Sequence, residues 1–372
     1  MPRRLAILGA TGSVGANAVA VAASLPDLFS VELVTCARQG AKLRQLAAQC
    51  GAKERFCIED ASASTLPDEA AVCDLLASAR VDVVLCAIQG DSALPQVLAA
   101  LEVGKTVALA SKEVLVTAGQ WVMETARRHG ARLLPVDSEH CALFQCLEGR
   151  KADEVERLIL TCSGGPFHQR PEVNLDAVTP QEALAHPTWS MGAKISLDSA
   201  TLMNKAFEII EAGWLFGVPE ERIQVVVHPQ SIVHSMVEFR DGAILAQLGP
   251  TDMRMPIQYC LTWPERRPPL MKPLSFDTSL HLDFLPPDTT RFPALELGRR
   301  ALRTGGLAGA VLNAANDFAC KRFLTGTLPF GAIPRAIAAA LEPPLPPGEA
   351  DSLAQIGRAR RHAEAIATNF NA

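Results

Sequence analysis

Asp137-Ser138-Glu139-His140 follows the apolar run at residues 133–136, so two carboxylates stand at i and i+2 just past a buried strand. In an extended chain that spacing sends both side chains to one side. Carboxylates held together repel unless a cation sits between them, and an all-oxygen donor set suits Mg2+ or Mn2+. The same residues would also cap a helix over residues 141–147, because Asp and Ser accept from its first unpaired amides. Spacing alone leaves both readings open. A third carboxylate, Glu208, ends the run Ser199-Ala200-Thr201-Leu202-Met203-Asn204-Lys205-Ala206-Phe207-Glu208. On a helix Thr201, Asn204, Lys205 and Glu208 share one polar stripe through their i, i+3 and i+4 spacing. An ordinary amphipathic helix with a Lys205–Glu208 surface pair would give the same pattern.

Phosphate chemistry is suggested nearby. Ser163-Gly164-Gly165 follows a strand-like run, and Ser199 is placed to cap the helix of the polar stripe. Hydroxyls, glycine amides and a lysine are what a phosphate monoester needs. The segment 163–195 has little periodicity and contains His186-Pro187-Thr188-Trp189-Ser190-Met191-Gly192. Irregular segments of that length inside a domain are usually lids or binding loops. Trp189 is placed either to close over a ligand or to pin the loop as its one buried aromatic.

Gly9-Ala10-Thr11-Gly12-Ser13-Val14-Gly15 directly follows the first apolar run and opens a helical pattern. Glycines there allow a tight turn and let backbone amides approach a pyrophosphate at a helix N-terminus. The alternative is a turn that merely needs glycine. The second strand runs into Cys36-Ala37-Arg38-Gln39, with no acid for a ribose 2′-hydroxyl. Its arginine suits a 2′-phosphate, which favours NADPH, although a solvated surface arginine would look the same.

These groups need elements to hold them. Strand-like runs at 5–8, 31–35, 81–87, 106–110 and 132–136 alternate with helical stretches at 16–25, 42–50, 93–103 and 120–129. That alternation predicts a doubly wound, Rossmann-like parallel sheet, with a first domain over 1–150. Strand-like runs at 155–161, 224–227, 232–239 and 243–247, interrupted by one helix at 200–216, predict a second, α+β catalytic domain over 151–265, with a hairpin across Arg240-Asp241-Gly242. The proline-rich stretch 266–292 reads as a linker, and helical patterns at 294–303, 307–323, 333–341 and 351–368 predict a small C-terminal helical domain over 293–372.

With 372 residues, 48% hydrophobic and 20% charged, the chain has a globular composition. Its net charge of −5 without a dense basic block argues against nucleic-acid or anionic-membrane partners. Ten cysteines include no C-x-x-C pair, so most of them read as small buried hydrophobes in a reducing, cytoplasmic setting. The N-terminal apolar run stops at Gly9, too short for a signal-peptide core.

Taken together, Gly9–Gly15, Ser111-Lys112-Glu113, 135–140, 163–167, 186–192, 194–205 with Glu208, 228–236 and 313–316 resemble the 1-deoxy-D-xylulose 5-phosphate reductoisomerases. The resemblance covers almost the whole chain. It implies a homodimeric enzyme that isomerises a ketose phosphate by retro-aldol and aldol steps and reduces the product with NADPH. Asp137, Glu139 and Glu208 would hold one divalent cation. Lys112, Ser138 and Glu139 would face the sugar. Ser163, Ser199, Asn204 and Lys205 would take the phosphate and nearby hydroxyls, with His186 and Trp189 closing from the loop. Thr11, Gly12, Ser13, Val14, Ala37, Arg38, Gln39, Ser111, Glu113 and Gly192 would line the cofactor. Two departures stand out: Ser111 replaces a common asparagine, and Ala37-Arg38-Gln39 replaces a Gly-Lys/Arg-Asn stretch. The C-terminal helical region is also shortened. One competing reading is an NADP-dependent semialdehyde dehydrogenase with Cys162 as nucleophile. Another is a non-catalytic nucleotide sensor, which would have no use for the three carboxylates.

Overall fold

The fold is that of a computed structural model describing residues 1–185 and 192–371. In chain order, β1 (Arg3–Leu8), α1 (Ser13–Ser24), β2 (Phe29–Cys36), α2 (Gly40–Cys50), β3 (Glu54–Cys57) and α3 (Glu69–Ala77) come first. Next are β4 (Val83–Cys86), α4 (Leu94–Leu101), β5 (Thr106–Leu109), α5 (Lys112–Arg128), β6 (Arg132–Pro135) and α6 (Ser138–Leu147). Then follow β7 (Val155–Cys162), α7 (Pro180–Leu184), α8 (Ala193–Ala200), α9 (Met203–Phe216), β8 (Ile223–Val227), β9 (Val233–Phe239) and β10 (Ile244–Leu248). The last helices are α10 (Arg254–Thr262), α11 (Ala294–Thr304), α12 (Ala308–Leu324), α13 (Ile333–Ala340) and α14 (Leu353–Asn369). The chain divides into two compact units, one of residues 1–114, 122–144 and 252–274, the other of 115–121, 145–251 and 275 onward.

The first unit is built on a six-stranded sheet in the order β3-β2-β1-β4-β5-β6, with every neighbouring pair parallel. The expected doubly wound sheet is present. Leu5, Ala6, Ile7 and Leu8 of β1 are all fully buried, as a strand covered on both faces requires. Strand order reverses between β1 and β4, which opens a crevice at their carboxyl ends. The sequence reading missed β3 and α3. Glu54-Arg55 at the start of β3 is only half-buried and the strand has one neighbour, so neither an apolar run nor a clear alternation marks it. Helix α3 depends on a cap, the Asp68 carboxylate accepting from the Ala71 amide at 2.8 Å.

The units do not follow the expected boundaries at 150, 265 and 292. Helix α10 packs on α1 and β5, and Ile257, Tyr259, Cys260 and Leu261 join the core of the first unit. The stretch expected as a linker is tied down at both ends. Gln258 donates to the carbonyl of Pro268 at 2.7 Å. Leu285 exchanges backbone hydrogen bonds of 2.8 and 2.9 Å with Val227 on the free edge of β8.

The second unit has a four-stranded sheet in the order β10-β9-β7-β8; β7–β8 is parallel and the other two pairs are antiparallel. The hairpin between β9 and β10 forms as expected. Helix α9 packs on β7, β8 and α11. The helix expected over 200–216 is present as α9 but starts only at Met203, after a break at Leu202, whose φ is 61°, and α8, which was not expected, precedes it. The Thr201 hydroxyl explains the break: it donates back to the Leu197 and Asp198 carbonyls and accepts the Met203 amide at 3.3 Å, so it competes with the helical ladder. Ser199 therefore sits in the last turn of α8 and does not cap α9, and Thr201 leaves the polar stripe. Among the described residues no helix is long and apolar enough to cross a membrane.

Candidate active site

At the end of β1, Gly9 has φ +78°, and a Cβ there would lie 2.4 Å from the Ala87 carbonyl oxygen beyond β4. A Cβ on Gly15 would lie 2.1 Å from the Gly9 oxygen. The loop is thus pressed onto the first turn of α1, and only hydrogen fits at either place. Gly12 precedes α1 without a side-chain cap, which leaves its leading amides for an anion. The cleft at this edge is about 460 Å³ and is lined by Thr11, Gly12, Ala37, Arg38 and Gln39 among others. Ser13 and Val14 form the first turn of α1. Arg38 donates from Nε to Glu59 at 2.8 Å, which engages one of its five donors. Ile88, Gln89, Ser92 and Gln96 also line the cleft; sequence reasoning passed over them, although they lie between the end of β4 and the first turn of α4, at the switch point. Ser111 is buried and its hydroxyl donates to the Ile88 carbonyl, so it braces the end of β4. Glu113 lies in the first turn of α5.

Asp137 and Glu139 are not arranged as in an extended strand. Strand β6 stops at Pro135, and Asp137 is the residue before α6. Its Oδ1 accepts the amides of Glu139 at 3.1 Å and His140 at 3.4 Å, and also lies 3.1 Å from His140 Nδ1. The helix-capping reading is therefore correct, but it occupies a single oxygen. Asp137 Oδ2 lies 2.7 Å from the Lys112 ammonium. Lys112 is 6% exposed at the N-terminal end of α5, where a cation opposes the helix dipole; the Asp137 carboxylate offsets that cost. Ser138 Oγ donates to Glu139 Oε2 at 2.5 Å. The first unit thus gathers Lys112, Asp137, Ser138, Glu139 and His140 at one corner of the sheet's carboxyl edge.

The second unit assembles the phosphate candidates and Glu208. Gly165 has φ +71°, and its Cβ would fall 2.8 Å from the Ser199 carbonyl, so the loop after β7 lies directly on the end of α8. That approach sets Gly165, whose amide donates to Ser163 Oγ at 3.4 Å, against Ser199. Glu208 is 0% and Lys205 2% exposed, which overturns the surface-pair reading. The Lys205 ammonium closes on Glu208 Oε2, and Asn204 Nδ2 donates to Oε1 at 2.6 Å. A buried carboxylate with both oxygens engaged is stable because its charge is paired. Gly192 precedes α8 as its N-terminal residue. His186 and Trp189 lie outside the described residues. Sequence reasoning gave no role to Lys194 and Asp198, an i,i+4 pair at 2.6 Å, or to Asn316, which donates to Asp198 at 2.8 Å. Burial alone would lower the Lys194 ammonium, but Asp198, foremost among its neighbours, holds it above the usual lysine range. Their tie between α8 and α12 spans more than a hundred residues and leaves no local signal.

Three family models match along the chain. The one described as 1-deoxy-D-xylulose 5-phosphate reductoisomerase covers residues 5–119, its C-terminal domain 133–216, and a second C-terminal domain of DXP reductoisomerase 248–366. The 1-deoxy-D-xylulose 5-phosphate reductoisomerase of Moorella thermoacetica is 44% identical over 100% of both chains. The chain belongs to the 1-deoxy-D-xylulose 5-phosphate reductoisomerase family. The reductoisomerase of Cupriavidus pinatubonensis is 47% identical over 94% of this chain and 93% of its own. Among solved structures, the reductoisomerase from Zymomonas mobilis in complex with NADPH superposes with a TM-score of 0.90 at 40% identity, over 100% of both chains. A DOX-P reductoisomerase in complex with NADPH, fosmidomycin and magnesium does so with 0.91 at 36% identity, over 98% of both. Membership of the reductoisomerase family displaces the semialdehyde dehydrogenase reading. Cys162, its proposed nucleophile, is 8% exposed at the end of β7.

Proposed function

We propose that the chain converts 1-deoxy-D-xylulose 5-phosphate to 2-C-methyl-D-erythritol 4-phosphate with NADPH and one divalent cation, Mg2+ or Mn2+, in isoprenoid biosynthesis. One observation carries the site assignment: Lys112, Asp137 and Glu139 sit at the same carboxyl edge of the parallel sheet as the Gly9 loop. When bound, the cation supplies Lewis acidity toward the ketose oxygens and the dinucleotide supplies a hydride. Asp137, Glu139 and Glu208 are proposed as the cation's ligands. The donor chemistry fits, since all three are carboxylates and Asp137 already draws a positive group to Oδ2. Lys112 is proposed to donate to the oxygen that gains charge as the carbon–carbon bond breaks. Ser138 would hold a sugar hydroxyl. Ser163, Ser199, Asn204 and Lys205 would hold the phosphate and nearby hydroxyls, keeping the cleaved fragments in register through contacts remote from the reacting carbons. His186 and Trp189 are proposed to exclude water from the reacting carbons. Thr11, Gly12, Ser13, Val14, Ala37, Gln39, Ser111, Glu113 and Gly192 would bind NADPH, with Arg38 on its 2′-phosphate.

NADPH oxidation followed at its absorbance band tests this reading. Oxidation is expected only with the deoxyxylulose phosphate present, to fall at least about tenfold on chelation, and to return with added Mg2+ or Mn2+. Turnover that ignores chelation would remove the cation from the proposal.

A homodimer is proposed as well. β10 is an edge strand with Ile244 52% and Leu245 40% exposed, and Phe276 is 74% exposed in the same unit. Apolar side chains on a bare sheet edge invite pairing with another copy. Light scattering is expected to give twice the chain mass, and Leu245→Lys to shift it toward the monomer; a wild-type monomer would refute the dimer. The cytoplasm is the proposed compartment. Eight cysteines are buried free thiols and two, Cys50 and Cys73, are half-buried, a use that suits reducing surroundings.

A further inference from the structure

We propose that Arg291 is a positioning residue for the phosphate pocket, fixing the chain that follows Ser163-Gly164-Gly165 by clamping three of its carbonyls. The inference rests on the reading of Ser163 and Ser199 as phosphate ligands. After β7 the chain leaves regular structure and winds through two successive turns, with Arg170 N donating to Phe167 O at 3.1 Å and Val173 N to Arg170 O at 3.2 Å. Such turns bring the carbonyls of Phe167, Arg170 and Val173 toward one side at intervals of three residues. Arg291 meets all three: Nη1 donates to Phe167 O at 2.9 Å, and Nη2 to Arg170 O at 2.8 Å and Val173 O at 2.9 Å. Its own amide donates to Asp288 Oδ1 at 3.0 Å, which fixes the arginine's backbone.

The clamp reaches the pocket through two further contacts. Phe167 is fully buried and its ring meets Phe330 edge-on at 5.3 Å, so the clamped strand of chain is anchored at that end. His168 Nδ1 lies 3.0 Å from the Gly165 carbonyl. Gly165 in turn donates its amide to Ser163 Oγ at 3.4 Å and rests on the Ser199 carbonyl. Freeing residues 167–173 would therefore let His168, and with it Gly165 and the Ser163 hydroxyl that accepts its amide, shift relative to the end of α8. The residue type matters. A planar guanidinium spans three carbonyls with donors held in a fixed fork, whereas a lysine ammonium is a point charge that cannot bridge the same set at these distances. Arg291 lies in the stretch that sequence composition marked as a mere linker.

Arg291→Lys and Arg291→Gln test the clamp, with Ser163→Ala in parallel. Small displacements of a binding group weaken ground-state contacts steeply. The KM for deoxyxylulose phosphate is therefore expected to rise about tenfold in both Arg291 variants, with kcat lowered by less than about threefold and the KM for NADPH within about twofold. Chymotryptic cleavage after Phe167 is expected to accelerate. The lysine variant separates a lost fork from a lost charge and keeps the test open if the glutamine variant folds poorly. An unchanged KM for the sugar phosphate, or equal losses with both substrates that follow a lowered melting temperature, would overturn the clamp. If Ser163→Ala raises that KM while Arg291→Lys does not, the clamp alone is wrong. If neither does, the phosphate reading is wrong and the clamp goes with it.

Discussion

Glu208→Gln is expected to lower kcat about 1,000-fold while leaving NADPH affinity within about a factor of two, the loss matching roughly 4 kcal/mol of charge stabilisation in the transition state. The substitution is nearly isosteric, so packing around α9 should persist. It removes one negative charge from a residue that is 0% exposed and held by Asn204 and Lys205. On the proposed assignment that charge is a cation ligand, and an amide oxygen is a weaker donor to Mg2+ or Mn2+. Weaker Mn2+ binding, read from the metal's electron-spin signal or by calorimetry, should accompany the loss. Removing one member of a buried pair also costs stability, on the order of 3–5 kcal/mol, so the melting temperature must be recorded beside the rate. Glu208→Asp keeps the charge but shortens the reach. It should recover stability better than rate, and recovery of both would argue that Glu208 serves only as a partner for Lys205.

Lys112→Met should fail in a different way. Removing one preorganised donor from a developing oxyanion typically costs 100- to 1,000-fold, so kcat is expected to fall by about that factor. Lys112 and Asp137 are 2.7 Å apart. Without the ammonium, Asp137 Oδ2 loses its positive neighbour, and the attraction of that corner for a divalent cation should rise or hold steady. Glu208→Gln thus weakens cation binding and turnover together, whereas Lys112→Met lowers turnover without weakening the cation. A lysine variant that loses Mn2+ in step with activity would show that Lys112 supports the metal site and has no separate part in the chemistry.

How far the sequence reached depends on how local each feature is. The β1–glycine loop–α1 unit was legible because a buried parallel strand is a continuous apolar run and a sharp turn needs glycine at a specific place; Gly9 and Gly15 show the contacts that demand it. The helices of the C-terminal region were legible from their periodicity. The break between α8 and α9 was not, because it turns on the Thr201 hydroxyl reaching back to the Leu197 carbonyl, a bond the apolar pattern does not reflect. Asp137 posed as a choice between helix cap and ligand. The structure shows that one oxygen caps α6 while the other faces Lys112, so capping engages only half of the carboxylate.

By itself the sequence determined the strand–helix alternation of the first unit apart from β3 and α3, the glycine loop and the kinds of side chain available for phosphate and cation chemistry, since these follow from local spacing and residue type. Only the tertiary structure decided that Glu208 and Lys205 form a buried pair instead of a solvated one, that α10 returns to the first unit, and that Arg291 holds a loop more than a hundred residues away. Burial and long-range pairing are settled when distant segments compete for the same core and the same carbonyls, and no short window of sequence records the outcome.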